Sequence, residues 1–317
     1  MKKVLVLHLK GLGDWFMFTP FLNILTENCT QLFVLWPSKP MSNLGDFHPQ
    51  ISSSFIAHPG RVKLFVQILK IILEHKITDI LITGRSNSLQ LIVLRTLLSP
   101  ICKVYGYDRQ LNILGDDIHN SQINAFIVSN FTDCQLATPD AYDLESSYCS
   151  ASKKILIHPG GDKRNSYRRW PLVRFIELAR SLLDNGREIA FILGPDETDM
   201  GPKLSEYGFD VITPRDINEL VIALKSCGMM ICSDSGLGHM AAALDKNVIT
   251  IFGPADPKHS APLGAKVCVI ATEYAETCCP CVVAGGLRGC EKVPCLSDIS
   301  VEKVKKHIYM ELDKWNA

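Results

Sequence analysis

Asp14 follows Gly11-Leu12-Gly13 at the point where the apolar run KVLVLHL gives way to a helix-length segment. A carboxylate at such a turn has two chemically distinct uses. It can take a proton as a general base at the rim of a cleft, or its oxygens can cap the first N–H groups of the following helix. The glycines also invite a dinucleotide reading, but Phe16 stands where G-x-G-x-x-G needs its third glycine, and an acid there repels phosphate.

A second constellation lies in CSDSGLGHMAAALDK, where an apolar run ends at Asp234-Ser235-Gly236 and a small-residue helix begins. Free N–H groups at a helix start suit a phosphate. Gly236 and Gly238 let backbone approach a ligand, and Ser235 and His239, one turn in, can donate to the same oxygens. The alternative is an Asp or Ser cap with His239 as a surface group. A third, GGDKRNSYRRWP, crowds Lys163, Arg164, Arg168 and Arg169 onto a Gly-rich loop ahead of a helix opened by Pro171. Such a run either faces solvent or meets a diphosphate, with Arg168 the first candidate for the contact. In the fourth, Cys278-x-x-Cys281 is followed by Cys290 and Cys295. Four thiolates suit a structural zinc or iron ion, but the second pair is looser than a C-x₂₋₄-C knuckle, so reduced thiols or a disulfide fit as well.

The elements that must position these residues follow from patterning. Short β-branched runs alternate with helix-length segments from KVLVLHL to CKVYGY, and the pattern restarts at KKILIHPGG after an irregular polar stretch near 107–150. Alternation of this kind means βαβ units around parallel sheets. The chain has 317 residues, 47% of them hydrophobic, which predicts two domains, 1–150 and 151–317, with a cleft between them. The segment WFMFTPFLNIL reads as one helix, and Ser300 as the N-cap of a closing amphipathic helix with Lys303, Lys305 and Lys306 on its outer face.

Composition narrows the function classes. Lys+Arg and Asp+Glu both total 33, so no net field draws the molecule to nucleic acid, and any attraction to an acidic membrane is local. The apolar run of MKKVLVLHLKG is too short for a signal peptide, and LFVQILKIILEHK is broken by Gln67 and Lys70, which excludes a membrane span there. A cytoplasmic protein is expected, with its scattered cysteines reduced.

Together these segments resemble the ADP-heptose heptosyltransferases of glycosyltransferase family nine over almost the whole chain. The most specific parts are GLGDWFMFTPFLNIL, IHPGGDKRNSYRRWPLVRFIELARSLL, ILGPDE, SDSGLGHMAAALDKNVITIFGPADPKHSAPLG and the cysteine tail. The resemblance implies an α/β GT-B fold of two facing, doubly wound Rossmann-like domains. The N-terminal one would hold the acceptor and the C-terminal one the nucleotide-sugar. It makes Asp14 the base aimed at the acceptor hydroxyl and puts Arg168 beside the donor diphosphate. Glu197 would lie at the donor's sugar portion, and Asp234, Ser235, Gly236, Leu237 and His239 along the nucleotide-sugar. Arg215-Asp216 would border the adenine. The implied reaction is inverting transfer of a heptose or related sugar from an ADP-sugar to a glycan hydroxyl, by default in the lipopolysaccharide inner core, with no metal or other cofactor required. Peripheral contact with the inner membrane surface is compatible with it. The sequence departs from the family pattern at His8, where Arg is common, and at Arg168, where Lys is commoner. A nucleotide-sugar epimerase on the same fold and a non-catalytic nucleotide-sugar-binding protein are the alternatives.

Overall fold

The computed structural model describes residues 2–86, 88–108, 114, 118–142, 152–272, 281–283, 286–287, 290 and 294–315. The chain forms two compact units, Met1–Asp143 and Leu144–Ala317.

The first unit is built on five parallel strands, β1 (Lys3–Leu7), β2 (Gln31–Trp36), β3 (Ser53–Ile56), β4 (Asp79–Ser86) and β5 (Lys103–Asp108), in the order β3-β2-β1-β4-β5. Val4 in β1 pairs with Leu32 on one side and Asp79 on the other. Strands buried on both faces are continuous apolar runs, which is why KVLVL and QLFVLW are legible as strands. Around them lie α1 (Leu12–Phe16), α2 (Leu22–Asn28), α3 (Lys39–Ser42), α4 (Arg61–His75), α5 (Ser88–Leu98) and α6 (Asn120–Thr132).

Two expectations are corrected here. WFMFTPFLNIL is not one helix: α1 ends at Phe16, a 3₁₀ turn spans Thr19–Phe21, and α2 begins at Leu22. Pro20 removes an N–H donor and restricts the residue before it, so the turn around it tightens instead of continuing. The stretch near 107–150 is not wholly irregular, because α6 lies within it. Its polar residues hide the helical period, yet Ser121 and Asn124 are buried together with Ile123, Ile127, Val128 and Phe131. The Asn124 side chain accepts from the Gly84 N–H (2.8 Å) and donates to the Met17 carbonyl (3.0 Å), tying α6 to the strand ends beside α1.

The second unit has six parallel strands, β6 (Lys154–His158), β7 (Glu188–Ile192), β8 (Asp210–Ile212), β9 (Met229–Ser233), β10 (Asn247–Phe252) and β11 (Val267–Ala271), ordered β11-β10-β9-β6-β7-β8. Its helices are α7 (Leu172–Asp184), α8 (Gly201–Glu206), α9 (Ile217–Lys225), α10 (Gly236–Ala243), α11 (Pro257–Ser260), α12 (Pro294–Asp298) and α13 (Val301–Trp315). The Ser300 hydroxyl accepts from the Lys303 N–H (3.1 Å), so it caps α13 as expected. Lys303 itself turns inward, its ammonium donating to the Ala271 carbonyl (3.3 Å), and does not join Lys306 on the exposed face.

In each sheet the first strand is central and the chain departs to opposite sides of it, from β1 to β2 and later to β4, and from β6 to β7 and later to β9. Ligands of open α/β sheets bind beyond the carboxyl ends of strands at such switch points. Asp14 and Ser235 both lie just past those ends.

Candidate functional site

In the first unit β1 runs into His8, which is wholly buried. Its Nε2 lies 3.2 Å from the Gly11 carbonyl and its Nδ1 2.9 Å from the Thr83 hydroxyl. A carbonyl only accepts, so Nε2 carries the proton and Nδ1 accepts from Thr83. Burial drives the pKa of His8 down to about 3, with the Lys10 charge adding to the effect and the Gly11 hydrogen bond opposing it. This neutral ring contacts Trp15 and Trp36, whose own ring centroids are 4.4 Å apart. The Trp15 indole N–H donates to His48 Nε2 (3.2 Å), and burial lowers His48 to about 4. Neutral and buried, His8 fixes the turn that presents α1.

Asp14 is the third residue of α1, and the N-cap position belongs to Gly11. The capping alternative is thus corrected: Gly11 holds the N-cap position, and no side-chain cap hydrogen bond is made at the start of α1. Among the described residues the Asp14 carboxylate makes no hydrogen bond or ion pair, and it is partly exposed. Its electrostatic neighbour is Lys10, whose chain lies across the bare backbone of Gly84. Burial pushes Lys10 below the ordinary lysine value; Asp14 opposes that shift and Arg85 reinforces it.

In the second unit the basic loop divides. Arg164 turns to Asp162 (2.8 Å) at the surface, and Asp162 caps a 3₁₀ turn over Lys163–Arg168. The Lys163 N–H is held by Asp196 (3.3 Å). Arg168 and Arg169 turn inward because Trp170 is anchored: its N–H donates to Ser233 (3.0 Å), its indole to the Ile299 carbonyl (2.9 Å), and its ring packs edge-on to Phe175. Arg168 then reaches Asp234 (Nη1 to Oδ2, 3.1 Å), and the second and third sequence constellations become one site. Among the described residues the Nε groups of both arginines have no hydrogen-bond partner.

Ser235 occupies the N-cap position of α10, but its side chain does not cap the helix. Its hydroxyl lies 3.1 Å from Nδ1 of buried His158, whose Nε2 is 3.7 Å from Glu197. The alternative of a Ser cap is corrected, because the Ser235 side chain does not cap α10. Partly exposed Gly236 and Leu237 open α10, while His239 is buried, not a surface group. A Cβ on Gly238 would meet Cys232 Sγ at 2.9 Å, so this glycine serves the packing of α10 on β9.

Glu197 is only 3% exposed. Its carboxylate accepts from the N–H groups of Gly161 (2.8 Å) and Gly194 (2.7 Å) and pairs with Arg169 (3.2 Å). Burial by itself would raise its pKa, but His158 and the two N–H groups outweigh it and hold Glu197 at about 2. Glu197 thereby braces the loop, its oxygens engaged by Gly161, Gly194 and Arg169. Gly160 is required here, because a Cβ would come within 2.2 Å of the Glu197 chain. Glu197→Gln should cost about 3 kcal/mol of stability at neutral pH, measured by urea unfolding, because Arg169 is left buried without its counter-charge.

Arg215 and Asp216 are exposed: Arg215 pairs with Glu219, and Asp216 caps α9 through the N–H groups of Asn218 and Glu219. Sequence reasoning singled out neither His158 nor Arg169 individually. The available signal for His158 was a polar residue at the end of a buried strand, directly before Pro-Gly-Gly.

Of the cysteine tail, Cys278 lies outside the described residues. Cys281 and Cys290 are half-buried, and Cys295 is buried on α12. Among the described residues no three His, Cys, Asp or Glu side chains converge as a metal site, and no helix is long and apolar enough to cross a membrane.

Comparison with known proteins adds the family. Lipopolysaccharide heptosyltransferase 2 of Escherichia coli K12 is 27% identical over 138 residues, 41% of this chain and 40% of that protein. Lipopolysaccharide heptosyltransferase 1 of Salmonella typhimurium is 30% identical over 148 residues, 45% of this chain and 42% of that one. The matched segment thus spans about two fifths of each of these two proteins. Among solved structures, E. coli ADP-heptose lps heptosyltransferase II superposes with a TM-score of 0.73 at 18% identity, covering 99% of this chain and 100% of that one. The E. coli heptosyltransferase WaaC with ADP superposes with a TM-score of 0.66 at 17% identity, covering 98% and 99%. These likenesses establish the GT-B class of fold. Residues 119–289, more than half of the chain, match the family described as Glycosyltransferase family 9 (heptosyltransferase), and the chain belongs to that family.

Proposed function

We propose that the protein transfers a heptose or a closely related sugar from an ADP-sugar to a glycan hydroxyl, with inversion at the anomeric carbon and the lipopolysaccharide inner core as the acceptor class. The observation that carries this reading is the Arg168–Asp234 pair (3.1 Å) beside the uncapped start of α10. A cation, a helix N-terminus and the Ser235 hydroxyl at one strand end form a receptor for a diphosphate. The acceptor oxygen attacks the anomeric carbon as Asp14 takes its proton, the bond to the diphosphate breaks, and the charge left on that group falls to Arg168 and the α10 N–H groups. These fixed charges do the work that a divalent cation does in other transferases.

Thermal-shift screening tests the donor: ADP-heptose at 100 times its Kd should add about 2.7 kcal/mol of stability, and the matching UDP-sugar should add none. ADP release should require the acceptor, which separates transfer from epimerisation. Arg168→Ala should lower turnover by roughly 10²–10³, and activity should persist in EDTA. Loss of activity in chelator, restored by Mg²⁺, would reject the metal-independent scheme.

A further inference from the structure

We propose that the outer face of α4 and α5 in the first unit is a docking surface for an anionic phospholipid bilayer. Both helices bury one side in a single cluster on the sheet, α4 through Ile68, Ile71 and Ile72 and α5 through Leu94 and Leu98. The opposite sides should then be polar. They are not: Val62 is 78% exposed, Leu73 67%, Val66 58%, Leu97 53%, Ile92 52% and Val93 43%. On α4 the exposed residues Val62, Val66 and Leu73 recur at steps of four and seven, which puts them on one helical stripe. A patch of this kind on a protein surface marks an interaction site.

Charge selects the occupant. Arg61, Lys63 and Lys70 stand on α4, Lys76 at its C-terminal end, Arg95 on α5 and Lys103 just beyond it, and all are exposed. Between residues 57 and 106 the acids are Glu74, which is exposed and pairs with Lys70 (3.6 Å), and Asp79, which is buried. The chain as a whole carries equal numbers of acids and bases, so this excess is local. Lys63 and Lys70 directly flank the apolar stripe at helical spacing. Lysine is depleted in protein–protein interfaces, whereas aliphatic side chains fringed by lysine suit the boundary between acyl chains and anionic headgroups. The surface belongs to the first unit, whereas the proposed donor-binding residues belong to the second, and the inference stands independently of the sugar transferred.

The test is flotation of the full chain with vesicles of phosphatidylcholine alone and with about a third phosphatidylglycerol. Binding is expected to the anionic vesicles only and should weaken with salt. Lys63→Gln with Lys70→Gln should weaken it about 25-fold, roughly fivefold per lysine. Val66→Glu with Leu73→Glu should abolish it, and Lys203→Gln with Lys306→Gln on the second unit should leave it unchanged. All these positions are at the surface, and circular dichroism verifies folding. The proposal is overturned if the wild-type chain stays with the unbound fraction or if the α4 variants bind as it does. It also fails if, without vesicles, sedimentation shows a dimer that the α4 substitutions dissociate, which would make this face a contact between copies of the chain.

Discussion

Asp14→Asn lowers kcat by roughly 10²–10⁴ while leaving the fold and ADP-sugar affinity intact. Asparagine keeps the shape of the carboxylate but cannot hold a proton taken from the acceptor hydroxyl. The variant should fold because the N-cap position of α1 belongs to Gly11, and because the Asp14 carboxylate holds no hydrogen bond or ion pair among the described residues. A base held in readiness is expected to look like this: partly exposed, at the end of a central strand, with its oxygens unspent. Circular dichroism, ADP-sugar titration and single-turnover rates check the three parts of the expectation. Near-normal turnover in folded Asp14→Asn protein would remove Asp14 from the chemistry.

The first unit should lose about 4 kcal/mol of stability between pH 7.5 and pH 5, a large part of a typical domain's total. His8 and His48 are buried, and burial holds their folded pKa values at about 3 and about 4, below the ordinary 6.5. As pH falls the unfolded chain therefore binds protons first. The stability is fully present above pH 6.5 and is lost from there down to about pH 4 for His48 and about pH 3 for His8. Each histidine contributes about 1.4 kcal/mol per pH unit across its window. Urea unfolding followed by tryptophan fluorescence at several pH values measures this, with Trp15 and Trp36 reporting on the first unit. His48→Gln keeps an acceptor for the Trp15 indole and should remove about half of the loss. Glu197 acts in a lower window, from its unfolded value of 4.5 down to about 2, so it does not blur the measurement. A stability that is flat from pH 7.5 to pH 5 would show that these histidines are not held neutral.

Much of the scaffold was legible in the residues. Buried parallel strands such as KVLVL, KILIH and NVITIF must be apolar at every position, and LVRFIELARSLLD repeats its apolar residues at helical spacing, so both types announce themselves locally. Strands β3 and β8 escaped because SSFI and DVI are short and lie at sheet edges, where burial imposes little pattern. Helix α6 escaped because its interior is partly polar, with Asn124 serving two backbone groups of other segments.

The sequence by itself determined which residue types stand at the strand ends: Asp14 after β1, four cations after β6, Asp234 and Ser235 after β9. A parallel sheet always delivers such turns to one edge, so their grouping follows from local pattern and general topology. Only the tertiary structure decided what each residue does there. It turned Arg168 onto Asp234, 66 residues away, and Arg169 onto Glu197, while Lys163 and Arg164 stayed outside. It placed His158 between Ser235 and Glu197, which freed the start of α10 from its cap and withdrew Glu197 from the surface. The physical reason is that these partnerships depend on which strands lie side by side and on where Trp170 is anchored. That information resides in the packing of distant segments and leaves no mark on the spacing of neighbouring residues.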